Sequence, residues 1–448
     1  MTKNTRGIES LKAGVLHHRA MEAVLWIMPR MNYKYNRDGM FAHGGTFNDV
    51  FYYSKMQDWR FQLATPNDTT PYFIAYWDTQ ENGPAVIEIP PSTATVGMFG
   101  TLMDSWHRPL EDVGARGYDK GKGAKYLMLP PGFAGEIPDG FVPIQQETYQ
   151  GHFIIRPIIP DSSQRSVDLA SEFVRQLKLY NFGESRATRY VDLAGKVVES
   201  ISVFDDTIFD HINEMVQKEP IEEKDLVMMG MLKSLGIKKG EGFDPTPEQR
   251  KMLAAAAKDA HDYMLDMYHN VLMPPYYEGK HWTNLVNESV PETGFTFQYP
   301  TYLDLDNRGA MYYAVTSSVK NFGAATYYLS GAKDNHGEYL DGGKSYHLRL
   351  DANVPAKDFW SAVAYDLESA AWIRDQSKVG VSSKNPDLQT NADGTVDLHF
   401  GPEAPQGMES NWVPTTPGRN FFLLFRFYGP EPAVFDKSWQ LDDIKLAG

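Results

Sequence analysis

There is no cysteine among the 448 residues. That removes disulfides, zinc–thiolate sites, iron–sulfur clusters and cysteine nucleophiles at once. Basic runs are missing too: 43 Lys and Arg against 58 Asp and Glu leave a net charge of -15. An acidic surface repels phosphate backbones, so nucleic acid is excluded as a partner. No apolar run reaches the length of a membrane span, and the start, MTKNTRGIESLKAGVLHH, lacks the apolar core of a signal peptide. The expectation is a soluble chain without a membrane span, cytoplasmic as given and periplasmic if a signal peptide has been removed. Neither a G-x-S-x-G elbow, a phosphate loop nor a dinucleotide fingerprint occurs, which weakens serine hydrolase, kinase and dehydrogenase readings. No cofactor is expected.

Metal ligands are sparse as well. DLDNRGA, Asp304 to Ala310, resembles a calcium loop poorly, because Arg308 stands where an acidic ligand belongs. His261 and His269 are eight apart on a probable helix, roughly 12 Å along its axis, too far for one ion. No metal site is expected.

What the chain does have is aromatic residues: 25 Tyr, 24 Phe and 9 Trp lean towards β-structure. Hydrophobic content of 42% in a chain of this length supports two or three cored domains. Gly7 to Met31 carries the helical period, with Pro29 expected to weaken or end the helix and the whole packing on one side of a sandwich. From 46 to 161, short β-runs alternate with Gly, Pro and Asp turns, as in AVIEIP, TVGMFGTLMD, KYLMLPP and HFIIRPIIP. From 162 to 273 the period is helical: SVDLASEFVRQLKLY, FDDTIFDHINEMVQ, and a third helix opened by Thr246 or Asp244 with Pro247 in its first turn. From 274 to 448 the β-pattern returns after a helix expected over RGAMYYAVTSS and on into VKNFG. The fold class predicted is α+β, mainly β: an N-terminal helical segment (1–45), then two β-sandwich, jelly-roll-like modules (46–161 and 274–448) joined by a helical middle (162–273).

Two polar knots open into aromatic strands. In ATPNDTTPYFIAYWDT, Asn67, Asp68 and Thr69 precede Tyr72; in SNWVPTTPG, Asn411 and Trp412 precede the strand holding Arg426. Loops at a sheet mouth carry function, although Asn and Asp also close turns on their own backbone. A third cluster is the loop DSWHRPLEDVGARGYDKGKG. Asp104 and His107 supply the minimum for acid–base work, and Arg116 an anion-binding fork. Asp104 and Arg116 are alternatively a structural ion pair. Asp68, Asp104 and His107 are therefore the catalytic candidates. Asn67, Thr69, Tyr72, Arg116, Asn411, Trp412 and Arg426 are the ligand-binding ones, with Tyr72 and Trp412 as stacking platforms.

PNDTTPYFIAYWD, GPAVIEIP and MDSWHRPLEDVGARGYDKGKGAKYLMLPPGFAGEIPDG resemble one family module. GEYLDGGKSYHLRL, DFWSAVAYD, NADGTVDLHFGP and SNWVPTTPGRNFFLLFRFYGP resemble its partner. Together they resemble bacterial two-module proteins of unknown function, families 1254 and 1214. The resemblance implies β-sandwich modules, often in an exported protein, and no established chemistry. The function expected is a hydrolase or lyase acting on a polar small molecule or saccharide between the modules. The alternative is a non-catalytic ligand-binding or oligomeric assembly protein. A homo-oligomer is expected because sheet edges and the helical block need cover.

Overall fold

The computed structural model describes residues 5–184, 187–287, 289–321 and 326–447. Its centre is a helix, Thr5–Phe41, not a sheet. Between Ala20 and Met40 its apolar side chains, Trp26, Ile27, Met28, Met31 and Tyr33 among them, are buried around most of its circumference. Such a helix belongs inside a core, not on one flank of it. Pro29 lies within it and does not end it. Proline removes one intrahelical hydrogen bond at a cost of about 3 kcal/mol, and packing offsets that here. The helix Leu305–Ala314 docks on this turn, Arg308 donating to the Trp26 carbonyl at 2.7 Å. Gly309 permits the approach, since a Cβ there would lie 3.2 Å from the Leu25 carbonyl oxygen.

The first module packs a six-stranded sheet against a four-stranded one. In the larger, the order is Tyr190–Asp192, Val50–Tyr52, Phe73–Asp78, Gln150–Ile158, Gly97–Asp104, Pro109–Gly114. In the smaller it is Lys178–Asn181, Ala85–Ile89, Ala124–Leu129, Val142–Gln145. Strand alternation sends Phe73, Ala75 and Trp77 into the sandwich and Ile74 and Tyr76 out towards the N-terminal helix. The strands Lys178–Asn181 and Tyr190–Asp192 complete these sheets, so the module runs past the expected boundary at 161. LKLY, expected as helix, turns extended after Gln176 because it pairs antiparallel with Ala85–Glu88.

The second module repeats the plan, with Asn420–Pro430 between Thr326–Gly331 and Ala356–Asp366 in its larger sheet. Leu423, Phe425 and Phe427 face its sandwich, while Phe422 and Leu424 face the N-terminal helix. Both large sheets thus turn their second faces to one shared core with the helices Ile208–Lys218, Leu226–Ser234 and Pro247–Asp266. The last opens on a capping box of Thr246 and Gln249.

The helix expected over 308–323 stops at Ala314, and Val315 is extended at φ -125°, ψ 128°. Residues 315–321 form a strap tied to the first module. Thr316 Oγ1 donates to the Ala64 carbonyl (3.3 Å) and Ser318 Oγ to the His107 carbonyl (2.6 Å). The backbone N–H groups of Lys320 and Asn321 reach the Asp112 carboxylate at 3.0 and 2.8 Å. These bonds compete with helix and win, since Thr and Val hold an extended backbone readily. Phe322 and Gly323, the end of the expected helix, lie outside the described residues.

Candidate functional site

The outward faces of the two large sheets do not close completely. Between them lies a cleft of about 650 Å³. Its floor comes from both modules: Tyr72, Thr101, Ile154 and Arg156 from the first, Thr326, Tyr328 and Arg426 from the second. Period-two alternation puts Arg156 on the same face as Ile154, and Arg426 directly opposite Tyr328 on the neighbouring strand.

Arg426 is 3% exposed and fixed by the polar knot's backbone. Its Nη2 donates to the carbonyls of Thr65 (3.2 Å) and Pro66 (2.9 Å) and to the Tyr365 hydroxyl. Thr65 holds φ +44°, costly for a β-branched residue, and in that conformation its carbonyl meets the guanidinium. Arg156 sits over the Tyr72 ring at 5.2 Å, with Nη2 3.5 Å from its hydroxyl. The Nε atoms of both arginines are buried without a hydrogen-bond partner.

Tyr72 is 1% exposed. Its oxygen accepts from the Asn67 N–H at 2.9 Å and faces donors only. Burial pushes its pKa up, but the Arg156 guanidinium, the Asn67 N–H and Arg426 outweigh burial and hold the phenol below its ordinary value. Asp68 is the opposite case. Burial raises its carboxyl above the ordinary range despite Arg426, and its Oδ1 is buried and unpartnered.

The remaining sequence candidates divide. Asn67 closes its own turn through Oδ1, which accepts from the Thr69 and Thr70 N–H groups at 2.9 and 3.0 Å, while its Nδ2 is buried without a hydrogen-bond partner. Thr69 Oγ1 gives its hydrogen bond to Asn67 Oδ1 (2.8 Å) and lies 3.2 Å from the Tyr428 hydroxyl. Arg116 lines the cleft mouth, exposed and without an ion pair among the described residues. It does not pair with Asp104, as the loop spacing suggested. Asp104 is buried against Arg108 instead, Nε to Oδ2 2.6 Å, and also accepts from the Trp106 and Arg108 N–H groups. The four-residue separation closes a hairpin corner there, which a partner twelve residues on could not do.

His107 is fully buried beside His152, ring centroids 4.5 Å apart, outside the cleft lining. Neither ring nitrogen has a hydrogen-bond partner; burial drives its pKa down to about 3, the Thr316 backbone offsetting only part of that. Asn411 ends the short helical turn Glu409–Asn411 that leads into the far small sheet of the second module, its amide bonded to the backbone of Gln389 and Asp397. Trp412 donates to the Gly401 carbonyl at 2.9 Å in the same sheet. The two knots therefore do not share a pocket, and neither Tyr72 nor Trp412 presents an open ring face in the cleft.

Arg156, Tyr328 and Thr65 were not among the sequence candidates. For Arg156 a signal existed: HFIIRPIIP puts one cation in a strand of Ile and Pro, the argument that singled out Arg426.

Residues 47–181 match the family model DUF1254 and residues 325–432 match DUF1214, each described as a protein of unknown function. The chain thus carries the two matched modules in the order expected from its sequence. No curated protein matches it. Among solved structures it is similar to the VPA0106 protein of Vibrio parahaemolyticus, at 16% identity and TM-score 0.56, over 97% of this chain and 100% of that one. It is also similar to an uncharacterized protein from Burkholderia cenocepacia, at 12% identity and TM-score 0.41, over 98% and 95% of the two chains. The first likeness bears on the fold alone.

Proposed function

Starting from a chain that joins these two modules across a cleft, we propose that it binds an anionic small molecule there. The observation that carries this is the pair Arg156 and Arg426: one part-buried and one buried arginine, each with a buried, unpartnered Nε, on one cleft floor. Buried cations are ordinarily paired, and arginine's fork suits carboxylate or sulfate. In a chain of net charge -15, the described cleft lining holds three arginines and one acidic residue, Asp112, whose oxygens are already taken by Thr101, Lys320 and Asn321. Such a site collects anions against the overall field. A saccharide is less well supported, since neither of the stacking rings expected from the sequence, Tyr72 or Trp412, presents an open face to the cleft. Calorimetric titration with sulfate, acetate and glucose tests the reading. Anion binding that is lost in Arg156→Met supports it; glucose binding alone, or no anion binding, sinks it.

Tyr72 favours a second reading, the hydrolase or lyase. A phenol surrounded by donors and lowered in pKa, with a carboxyl of the same polar knot raised by burial, is a base–acid pair with its pKa values moved towards each other. Tyr72 and Asp68 then replace Asp104 and His107 as the proton-transfer groups. Tyrosinate absorbance near 295 nm, titrated in the native chain and in Tyr72→Phe, checks this: one phenol ionising ahead of the rest, and missing from the variant, is expected. Self-association is a separate proposal, supported by Leu226 and Val227, 59% and 73% exposed; light scattering behind size exclusion reads it directly.

A further inference from the structure

The cleft is two-sided in chemistry as well as in origin. Its polar groups collect at the floor, where Thr65, Tyr72, Arg156, Tyr328 and Arg426 touch one another. Its walls are different. Leu285 and Val286 come from the segment after Thr283–Asn284, Val319 from the strap, Phe99 from the first module's sheet and Phe435 from the turn after the last long strand. Phe435 is 46% exposed, and the other four are only part-buried although three elements converge on them. Apolar side chains left uncovered inside a concavity mark a surface that a ligand completes. Polar bonds hold these walls in place from behind: Asp112 anchors the strap, and the Tyr327 hydroxyl donates to Asn284 at 2.6 Å. The apolar lining is therefore preorganised, not a collapse awaiting cover.

Resting on the anion-binding reading above, we infer that the ligand is amphipathic: a monocarboxylate with an unbranched or aromatic apolar body. Its carboxylate lies between Arg156 and Arg426, and its body runs along Val319, Leu285 and Phe435. One charged end is enough, because Arg116 is the one cation that the described lining adds, and it stands exposed at the mouth. A volume of 650 Å³ lies in the range that buries most of a drug-sized ligand, and is far more than acetate or sulfate fills.

Titration of the full chain with acetate, hexanoate, decanoate and decanol, at one ionic strength and below micellar concentrations, tests this. Affinity is expected to rise about threefold to fourfold per added methylene, with decanol well below decanoate. Phe435→Ser, which adds no charge, should weaken decanoate at least tenfold and acetate far less, while Arg156→Met should weaken both. Phe435 is half exposed, so that variant should keep its fold, and an unchanged melting temperature verifies it. Equal affinity for acetate and decanoate would overturn the amphipathic ligand and leave the anion site standing. Decanol binding as tightly as decanoate, or no acid binding at all, would overturn both.

Discussion

Arg156 bears a charge that the fold itself does not use. It has no carboxylate partner among the described residues: its neighbours are the Tyr72 phenol at 3.5 Å and the ring beneath it, the phenols of Tyr328 and Tyr428, and the like-charged Arg426. Removing an unpaired, part-buried cation should therefore stabilise the chain while destroying the anion site, the trade expected of a binding group. Arg156→Met is predicted to raise unfolding free energy by about 1 kcal/mol, read by urea denaturation. Arg426→Met should do the reverse and cost about 2–3 kcal/mol, because it strands the Thr65 carbonyl and leaves the Pro66 carbonyl with the Tyr365 hydroxyl alone. His107 gives a pH signature. Its folded pKa, near 3, is depressed below the ordinary 6.5 by burial, so below pH 6.5 the unfolded chain binds a proton that the folded chain refuses. Stability is then complete above about pH 6.5 and falls as pH drops towards 3, by about 1.4 kcal/mol per pH unit for each such histidine. His152, pushed down by burial and by His107, should add to the slope. Denaturation at pH 7 and pH 5 measures it, and His107→Phe should flatten the difference.

Among elements, the N-terminal and 305–314 helices depend on each other at one turn. Gly309→Leu should push them apart, since even a Cβ there would lie 3.2 Å from the Leu25 carbonyl and 3.3 Å from the Leu25 side chain. A loss of about 2–3 kcal/mol is expected, visible as a lower melting temperature. The same two helices show what could be read in advance. Strand alternation, the Thr246 cap and the two-module plan follow from local pattern and were legible. Passage of the first helix through Pro29, and the extended strap after Ala314, depend on Arg308, Asp112 and Ala64, hundreds of residues away in sequence or nearly so. Arg426 was found because a cation in an aromatic strand is visible in sequence. Asn411 misled because a buried amide bonding backbone and an amide awaiting a ligand read alike.

Taken whole, the molecule has two sandwich cores and a third, larger core to which both modules and the helices contribute. Cooperativity should follow that third core. Calorimetry is predicted to show one unfolding transition, not two, and deletion of residues 5–41 should abolish folding of both modules. Two separable transitions would show that the sandwiches stand alone.

That central helix also sets a problem of timing. Ile27 and Met28 leave the ribosome well ahead of Phe422 and Leu424, which share their core and follow almost 400 residues later. At 5–20 residues per second the interval is roughly 20–80 s. Throughout it, an apolar rod waits for the sheet that will cover it, so a nascent chain of this protein should be an early and persistent client of chaperones.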